Sequence, residues 1–310
     1  MQPEMKAALQ LFQFSGGSTG DADDNSNNQL RHLTLQRCLV RPPPVFRGLI
    51  NLELSQVTIS TEDFGNFISR CLLLEHLVLD HSDNANNIKI NAPKLRSYVF
   101  TGNIHFIHLK CVPLLAKVSH ESMESSVKAR NYDLVAFFKS IEHLHWDYSN
   151  FRDQVKYQLS FPTLLNSLKR LYLSELCFDE LVKVTWALCL LRSSPYLEEL
   201  EIKGPGDLSG ELIDYVPWWT VDEIPASFSD VTYNYLRTVK IKGVVGAGVD
   251  MQLIKVLLAK SPVLLRMVID PYVEGDHSLE ILAKIKKYQR ASPQAEVIYN
   301  VNAYPGYKPA

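Results

Sequence analysis

The chain has 310 residues, of which 46% are hydrophobic and 21% charged, a composition typical of a globular protein with a large core. The formal net charge of -2 offers no basic stripe, which argues against general nucleic-acid binding. The five cysteines are far apart and form no C-x-x-C pair, which indicates free thiols in an intracellular protein of the cytoplasm or nucleus. No apolar run is long enough to span a bilayer, so no membrane association is expected.

The N-terminal segment, residues 1–29, is expected to be partly disordered. Residues 15–29 contain almost no apolar side chains, so they cannot offset the entropy lost on ordering. Residues 16–20 match the nucleophile-elbow pattern G-x-S-x-G, but no strand and helix are predicted around Ser18, which favours a linker. The stretch Met5–Phe14 is apolar enough to cap the first strand that follows.

A short motif, L-x-x-L-x-L, starts at Leu30, Leu49 and Leu74. The alternation of Leu33 and Leu35 predicts a strand with one buried face. Such a strand buries that face only against a stacked neighbour, which favours a solenoid of leucine-rich repeats. We call the buried positions of the motif the ladder. Later copies have the ladder residues Leu95, Tyr98, Phe100; Ile104, Ile107, Leu109; Ile141, Leu144, Trp146; Leu168, Leu171, Leu173; Leu197, Leu200, Ile202; Leu236, Val239, Ile241; and Leu264, Met267, Ile269. A further strand is possible at Leu115–Val118.

Helices are predicted between several of these strands, and short irregular links elsewhere. The helices are Glu62–Arg70 with Thr61 as its cap, Asp179–Leu191, and Asp250–Lys260 with Leu253, Val256 and Leu257 inward. The link at Ile88–Pro93 is expected to be irregular. The predicted fold is therefore α/β, a curved parallel sheet with helices and loops on its outer side. A doubly wound sheet is the alternative, but polar residues at every second strand position favour the solenoid.

These segments resemble the leucine-rich repeats of plant F-box proteins that end in an FBD domain. LRHLTLQRC, FRGLINLELSQVTIS, ISRCLLLEHLVLD and NAPKLRSYVF are similar to the family's opening repeats. LRTVKIKGVVG and MQLIKVLLAKSPVLLRMVID are similar to the start of the FBD domain, and YQRASPQAEVIY, residues 288–299, to its final helix and strand. The resemblance covers roughly residues 30–299. It implies leucine-rich repeats over residues 30–228 and an FBD unit over residues 229–310 that continues the solenoid.

The resemblance also implies a function. F-box proteins bind substrates for a cullin-type ubiquitin ligase, so the expectation is a non-enzymatic scaffold that recognises a protein substrate and needs no cofactor. The segment before Leu30 does not resemble an F-box, so binding of the ligase adaptor is expected only of a longer form that carries one. Two alternatives remain open: a stand-alone interaction protein unconnected with ubiquitin, and an α/β enzyme.

In the strand motif the ladder residues face the core, so the residues between them face solvent. Across stacked strands these residues form a continuous surface of mixed charge, which we call the polar face. Solenoids bind partners on extended concave surfaces of this kind, so we expect the polar face to bind a protein. The candidate contact residues are His76, Asp80, His143, His145, Asp147, Arg170, Tyr172, Glu199, Glu201 and Lys240.

Three other features have both a functional and a structural interpretation. His143, His145 and Asp147 lie on one side of a strand and could ligate a metal, but no second ligand cluster supports this, so no metal is predicted. Gly243, Gly246 and Gly248 resemble a phosphate-cradling loop, yet their spacing is not the dinucleotide fingerprint, which favours a turn. Trp218 and Trp219 lie in a long insertion and form either a recognition loop or a cover over the core.

Overall fold

The computed structural model describes residues 10–12, 30–40, 46–80, 87–101, 106–121, 141–147, 164–178, 181–205, 230–246, 248–272 and 275–300. The chain divides into two compact units, Met1–Ser140 and Ile141–Ala310. Each unit is built around its own row of parallel strands. The predicted boundary between the repeats and the FBD unit, after residue 228, lies outside the described residues and stays a prediction.

The first unit has a main sheet, two separate pairs of strands and one described helix. Its elements are β1 (Gln10–Phe12), β2 (His32–Gln36), β3 (Cys38–Val40), β4 (Asn51–Ser55), α1 (Thr61–Arg70), β5 (His76–Asp80), β6 (Asn87–Asn91), β7 (Ser97–Thr101), β8 (Phe106–Lys110) and β9 (Lys117–Glu121). The main sheet has the order β2-β4-β5-β7-β9, and all its neighbouring strands are parallel. Two parallel pairs, β1 with β3 and β6 with β8, form separate small sheets.

The second unit alternates strands and helices more regularly. Its elements are β10 (His143–Asp147), β11 (Arg170–Ser174), α2 (Leu181–Ser193), β12 (Glu199–Lys203), β13 (Thr238–Val244), α3 (Gly248–Lys260), β14 (Arg266–Pro271), α4 (Gly275–Lys286) and β15 (Glu296–Tyr299). Strands β10 to β15 pair in chain order, and every pair is parallel. Parallel neighbours joined by helices are the architecture predicted for the solenoid. Among the described residues no helix has the length and apolar character needed to traverse a bilayer.

The ladder residues form the core of both units, as the motif predicts. Leu49, Leu74 and Leu77 are each 0% exposed, and burying such a side chain stabilises the fold by about 1.5–3 kcal/mol. The ladder is also in register between strands, so that Leu52 lies beside Leu77 and Leu77 beside Tyr98. Leu33 on β2 is only half-buried. In the described sheet β2 has a neighbour on one side, β4, so its apolar face is covered less completely.

Two predictions about the first unit are wrong. The copy at Ile104, Ile107 and Leu109 is not part of the main sheet, because its strand β8 pairs with β6 instead. The segment Ile88–Pro93, expected to be an irregular link, lies largely in β6. The possible strand at Leu115–Val118 is found as β9, and it takes the place in the main sheet next to β7. Alternation correctly indicates a strand at these positions, but it does not say to which sheet the strand belongs.

The three helices predicted between strands are found in place, with small shifts at their ends, whereas α4 was not predicted. Helix α1 is capped by Ser60 rather than Thr61: the Ser60 Oγ accepts a hydrogen bond of 3.1 Å from the Asp63 amide. Helix α2 continues to Ser193, two residues beyond the predicted end. In α3 the side chain of Val256 is only half-buried, whereas Leu253 and Leu257 are buried as expected.

The C-terminal elements differ from the expectation in one respect. The resemblance placed a final helix within residues 288–299, but the helix α4 ends at Lys286 and residues 288–295 form turns before β15. Ile281 and Ile285 of α4 are 0% exposed, so the helix packs by an apolar face. The Tyr299 hydroxyl donates to the Ser278 carbonyl at 3.0 Å, which joins β15 to α4.

Candidate functional site

The polar face is present in both units and includes all the predicted residues. Every candidate side chain, from His76 to Lys240, points away from the core and is exposed or half-buried. The alternation is strict because neighbouring residues of a strand point to opposite sides: on β12, Leu200 and Ile202 are buried while Glu199 and Glu201 are not. In each unit the face is therefore the sheet surface left after the ladder is buried.

In the first unit, neighbouring strands are joined across the polar face by side-chain hydrogen bonds. The Asn51 amide nitrogen lies 2.7 Å from His32 Nδ1, and the Ser55 hydroxyl donates to Asp80 Oδ2 at 2.9 Å. Val78 lies beside Val99 in register and gives the middle of this face an apolar character. His76 and Asp80 stand at opposite ends of β5, so the structure does not bring these two predicted residues together.

In the second unit, the side chains of His145 and Asp147 meet at Ser174, which is itself buried, at 5% exposure. The Ser174 hydroxyl donates to Asp147 Oδ2 at 2.8 Å, and His145 Nε2 lies 3.0 Å from the same Ser174 oxygen. The hydroxyl has one proton, which is given to Asp147, so His145 donates from Nε2. The His145 ring also stacks on Tyr172, with centroids 4.3 Å apart and planes at 20°.

The same three residue types occur in hydrolytic triads, but their order here does not suit nucleophilic catalysis. A catalytic serine gives its proton to a histidine that a carboxylate orients. Here the Ser174 proton is held by the carboxylate of Asp147, while His145 donates to the serine oxygen. In that arrangement His145 is not placed to take the Ser174 proton, and the contacts order the side chains of β10 and β11. It is a bracing contact between strands, and it gives no support to the enzyme alternative.

Charged residues follow on the next strands of the second unit. Arg170 Nε lies 3.1 Å from Glu199 Oε2, and both side chains are about half exposed. Glu201 Oε1 lies 2.7 Å from Lys242 Nζ and 3.9 Å from Lys240 Nζ. The hydrogen bond that Lys242 donates to the Glu201 carboxylate raises the pKa of Lys242. Exposed pairs of this kind contribute only about 0–1 kcal/mol each, so these residues remain available to exchange partners.

Sequence reasoning missed part of the polar face on β9, β14 and β15. Val268 and Ile298 lie side by side in register and extend the face by two strands. A turn signal could have found them. The main-sheet strands of Leu95, Leu115, Leu197 and Leu264 each follow a Pro-x-Leu turn, in which the ladder amide donates to the carbonyl three residues earlier. Ala295 ends a turn of the same form, Pro-x-Ala, before β15, whereas the sequence has no proline two residues before Ile104.

The glycine loop after β13 is a turn with an internal anion. Gly243 and Gly246 have φ of 81° and 82°, the left-handed region that glycine adopts without strain. The carboxylate of Asp250, which is 0% exposed, accepts hydrogen bonds from the amides of Val245 at 2.8 Å and Gly246 at 2.9 Å. The amides that a phosphate would need are therefore already bound to a side chain of the protein.

The remaining candidates give no site among the described residues. Within that part of the chain, no group of three or more His, Cys, Asp or Glu side chains is placed to hold a metal ion. Trp218, Trp219 and Ser18 lie outside the described residues. Of the N-terminal stretch proposed as a cap, Gln10–Phe12 pairs with Cys38–Val40 rather than with the first ladder strand β2.

Comparisons with known proteins place the chain in a family. Residues 23–202 match the family model described as FBD-associated F-box protein At5g56370, LRR repeats. The chain is also 27% identical over 292 residues to the F-box/FBD/LRR-repeat protein At1g13570 of Arabidopsis thaliana, an alignment that covers 87% of this chain and 67% of the relative. Since the family model covers more than half of the chain and includes the ladder strands from β2 to β11, this protein belongs to the leucine-rich-repeat family of FBD-associated F-box proteins.

Proposed function

We propose that the polar face binds a protein, and that this protein is a substrate of a cullin-type ubiquitin ligase. The observation that carries the first part is the register of the face. Outward side chains from successive strands lie next to one another at strand spacing, so they present one surface of charged, aromatic and aliphatic groups. Solenoids bind protein partners on surfaces of this kind.

The second part rests on the family. Both the matching family model and the Arabidopsis relative have F-box in their names, and F-box proteins couple a bound substrate to ubiquitin ligases. Coupling needs contact with the ligase adaptor in addition to substrate binding. The two activities are therefore separate, and a protein that binds a partner through the polar face without contacting the adaptor is the competing function.

The test compares captured proteins between variants. The full-length protein is immobilised and exposed to plant extract, and bound proteins are quantified by mass spectrometry. The double variant Arg170→Ala with Tyr172→Ala removes one charge and one ring from the polar face without touching the ladder. The matched control is Lys255→Ala with Glu280→Ala, two exposed residues on helices α3 and α4.

The expected result is a partner that is lost from the Arg170/Tyr172 variant and retained by the control. Equal capture by all three proteins would contradict binding through the polar face. Presence of the ligase adaptor among proteins captured by both variants supports coupling to ubiquitin. Capture of a partner through the face without the adaptor supports the stand-alone interaction protein.

A further inference from the structure

The middle row of the polar face in the second unit changes character from strand to strand. In register, it consists of His145, Tyr172, Glu201, Lys240, Val268 and Ile298 on β10 to β15. All six side chains are half-buried, so each presents part of its surface to a partner. The row therefore runs from an aromatic pair, through a charged pair, to an apolar pair.

The charges around the centre of this row are not equally compensated. One oxygen of Glu201 faces two ammonium groups, with Lys242 at 2.7 Å and Lys240 at 3.9 Å. One carboxylate balances one ammonium, and the closer Lys242 has the hydrogen bond. Lys240 is left with a contact at the outer limit of an ion pair.

Three other charged residues near Lys240, namely Lys203, Arg170 and Asp270, have partners nearer than the 3.9 Å contact of Lys240. Lys203 lies 3.5 Å from Glu175, and Arg170 lies 3.1 Å from Glu199. Asp270, which is in register with Lys242, accepts a hydrogen bond of 2.6 Å from the Asn300 amide. Of the face cations with a measured carboxylate distance, Lys240 therefore gains most from a carboxylate or phosphate that a partner brings.

We propose that Lys240, together with Val268 and Ile298, forms a subsite for an anionic side chain followed by apolar side chains on a helix of the partner protein. This inference rests on the proposed function and specifies the partner. Neighbouring strands are about 4.8 Å apart, so Val268 lies about 5 Å and Ile298 about 10 Å from the Lys240 position. Helix positions i+3 and i+4 lie about 4.5–6 Å from i along the axis, and i+7 about 10.5 Å. An extended segment repeats a side chain every 6.6–6.8 Å or so, which matches neither spacing.

The experiment selects binders from a displayed library of random peptides about sixteen residues long, enough for four helical turns. The immobilised target is the full-length protein. The expected result is enrichment of peptides with Asp or Glu at i and apolar residues at i+3 or i+4 and at i+7, read in either direction. Absence of binders, or binders without that pattern, contradicts the proposal.

Variants then assign the contact to Lys240. Lys240→Ala is expected to weaken the selected peptides about fivefold, as for one partly exposed ion pair, whereas the control Lys255→Ala leaves binding unchanged. The substitution Lys240→Glu should abolish binding of the acidic peptides. The Lys240→Glu variant should instead bind versions of these peptides in which Lys replaces the acidic residue. Equal affinity for the wild type and both Lys240 variants overturns the assignment.

Two synthetic versions of the best peptide separate the sources of the anion. One carries Glu at position i and the other phosphoserine, and the tighter binder identifies whether the partner is acidic or phosphorylated. Failure of the Lys240 subsite can be distinguished from failure of the proposed function. If partner capture from extract depends on Arg170 and Tyr172 but is unaffected by either Lys240 variant, the subsite is wrong and binding through the polar face stands.

Discussion

Asp250 provides the sharpest test of the structure, because its buried carboxylate binds the amides of the glycine loop that a phosphate would otherwise bind. Its Oδ2 accepts from the Val245 amide at 2.8 Å and the Gly246 amide at 2.9 Å, and its Oδ1 from the Met251 amide at 2.6 Å. In Asp250→Asn one of these oxygens becomes an NH2 group. If the remaining oxygen serves the two loop amides, the new NH2 group faces the Met251 N–H, donor against donor.

The magnitude follows from the bonds that are lost. A hydrogen bond to a charged group contributes about 1.5–3 kcal/mol, and a buried donor left unpaired costs about 1–3 kcal/mol more. Since the amide side chain of the variant can still accept at its one oxygen, we expect Asp250→Asn to lower the free energy of unfolding by about 2–4 kcal/mol. Urea unfolding followed by far-ultraviolet circular dichroism measures this difference.

The matched control is Asp230→Asn, which makes the same chemical change at an exposed turn residue. We expect it to change the free energy of unfolding by less than about 0.5 kcal/mol. If Asp250→Asn were as stable as the control variant, the carboxylate would not hold the loop amides. The glycine loop would then regain its interpretation as an open anion site.

Three further predictions concern stability. Burial raises the pKa of Cys71 from 9.0 to about 12. The stabilisation from the buried, neutral thiol is therefore fully present below about pH 9, and between pH 9 and 12 the free energy of unfolding should fall by about 1.4 kcal/mol per pH unit. The variant Cys71→Ala should remove that slope in urea unfolding measured across this pH range. Gly243→Ala should destabilise by about 1–3 kcal/mol in urea unfolding, because φ is 81° and the new Cβ would lie 3.2 Å from Gly204 Cα; a neutral effect contradicts this geometry. Ser60→Ala should cost about 1 kcal/mol through loss of the helix cap, whereas Thr61→Ala should cost less.

The ladder could be predicted from the sequence because its cause is local. Leu74, Leu77 and Leu79 occupy fixed spacings, and period-two alternation places two of them on one side of a strand wherever that strand lies. The direction of the polar residues follows from the same spacing. For this reason the candidate residues from Arg170 to Lys240 were found on the outward side without knowledge of the sheet.

Sheet membership could not be predicted in this way. Ile88 and Ile90 alternate as well as any ladder pair, yet β6 pairs with β8 and not with the main sheet. Which sheet a strand joins depends on its position within one repeat of the solenoid, and that position is set by the connecting turn that precedes the strand. A Pro-x-Leu turn ends at Leu115, and reading it would have indicated Leu115 as a ladder position and β9 as a main-sheet strand.

The contacts within the polar face were also beyond sequence reasoning, since they join residues of different repeats. Ser174 stands 27 positions from Asp147 and 29 from His145, and nothing in one repeat shows which lateral neighbour it will meet. Only the register of β10 with β11 brings them together. His76 and Asp80, by contrast, lie close in sequence but are held apart at the two ends of the extended strand β5.

This separation between core and surface determines how the chain can acquire a partner. Within β11 the buried Leu171 and Leu173 alternate with Arg170 and Tyr172, so one set of residues holds the unit together and the other set can vary. Exposed ion pairs such as Arg170 with Glu199 contribute little to stability, so exchanging them costs the fold about 1 kcal/mol or less. If the polar face binds a protein as proposed, substitutions along it can change the partner without loss of the solenoid, and the uneven compensation at Lys240 would help to distinguish one partner from another.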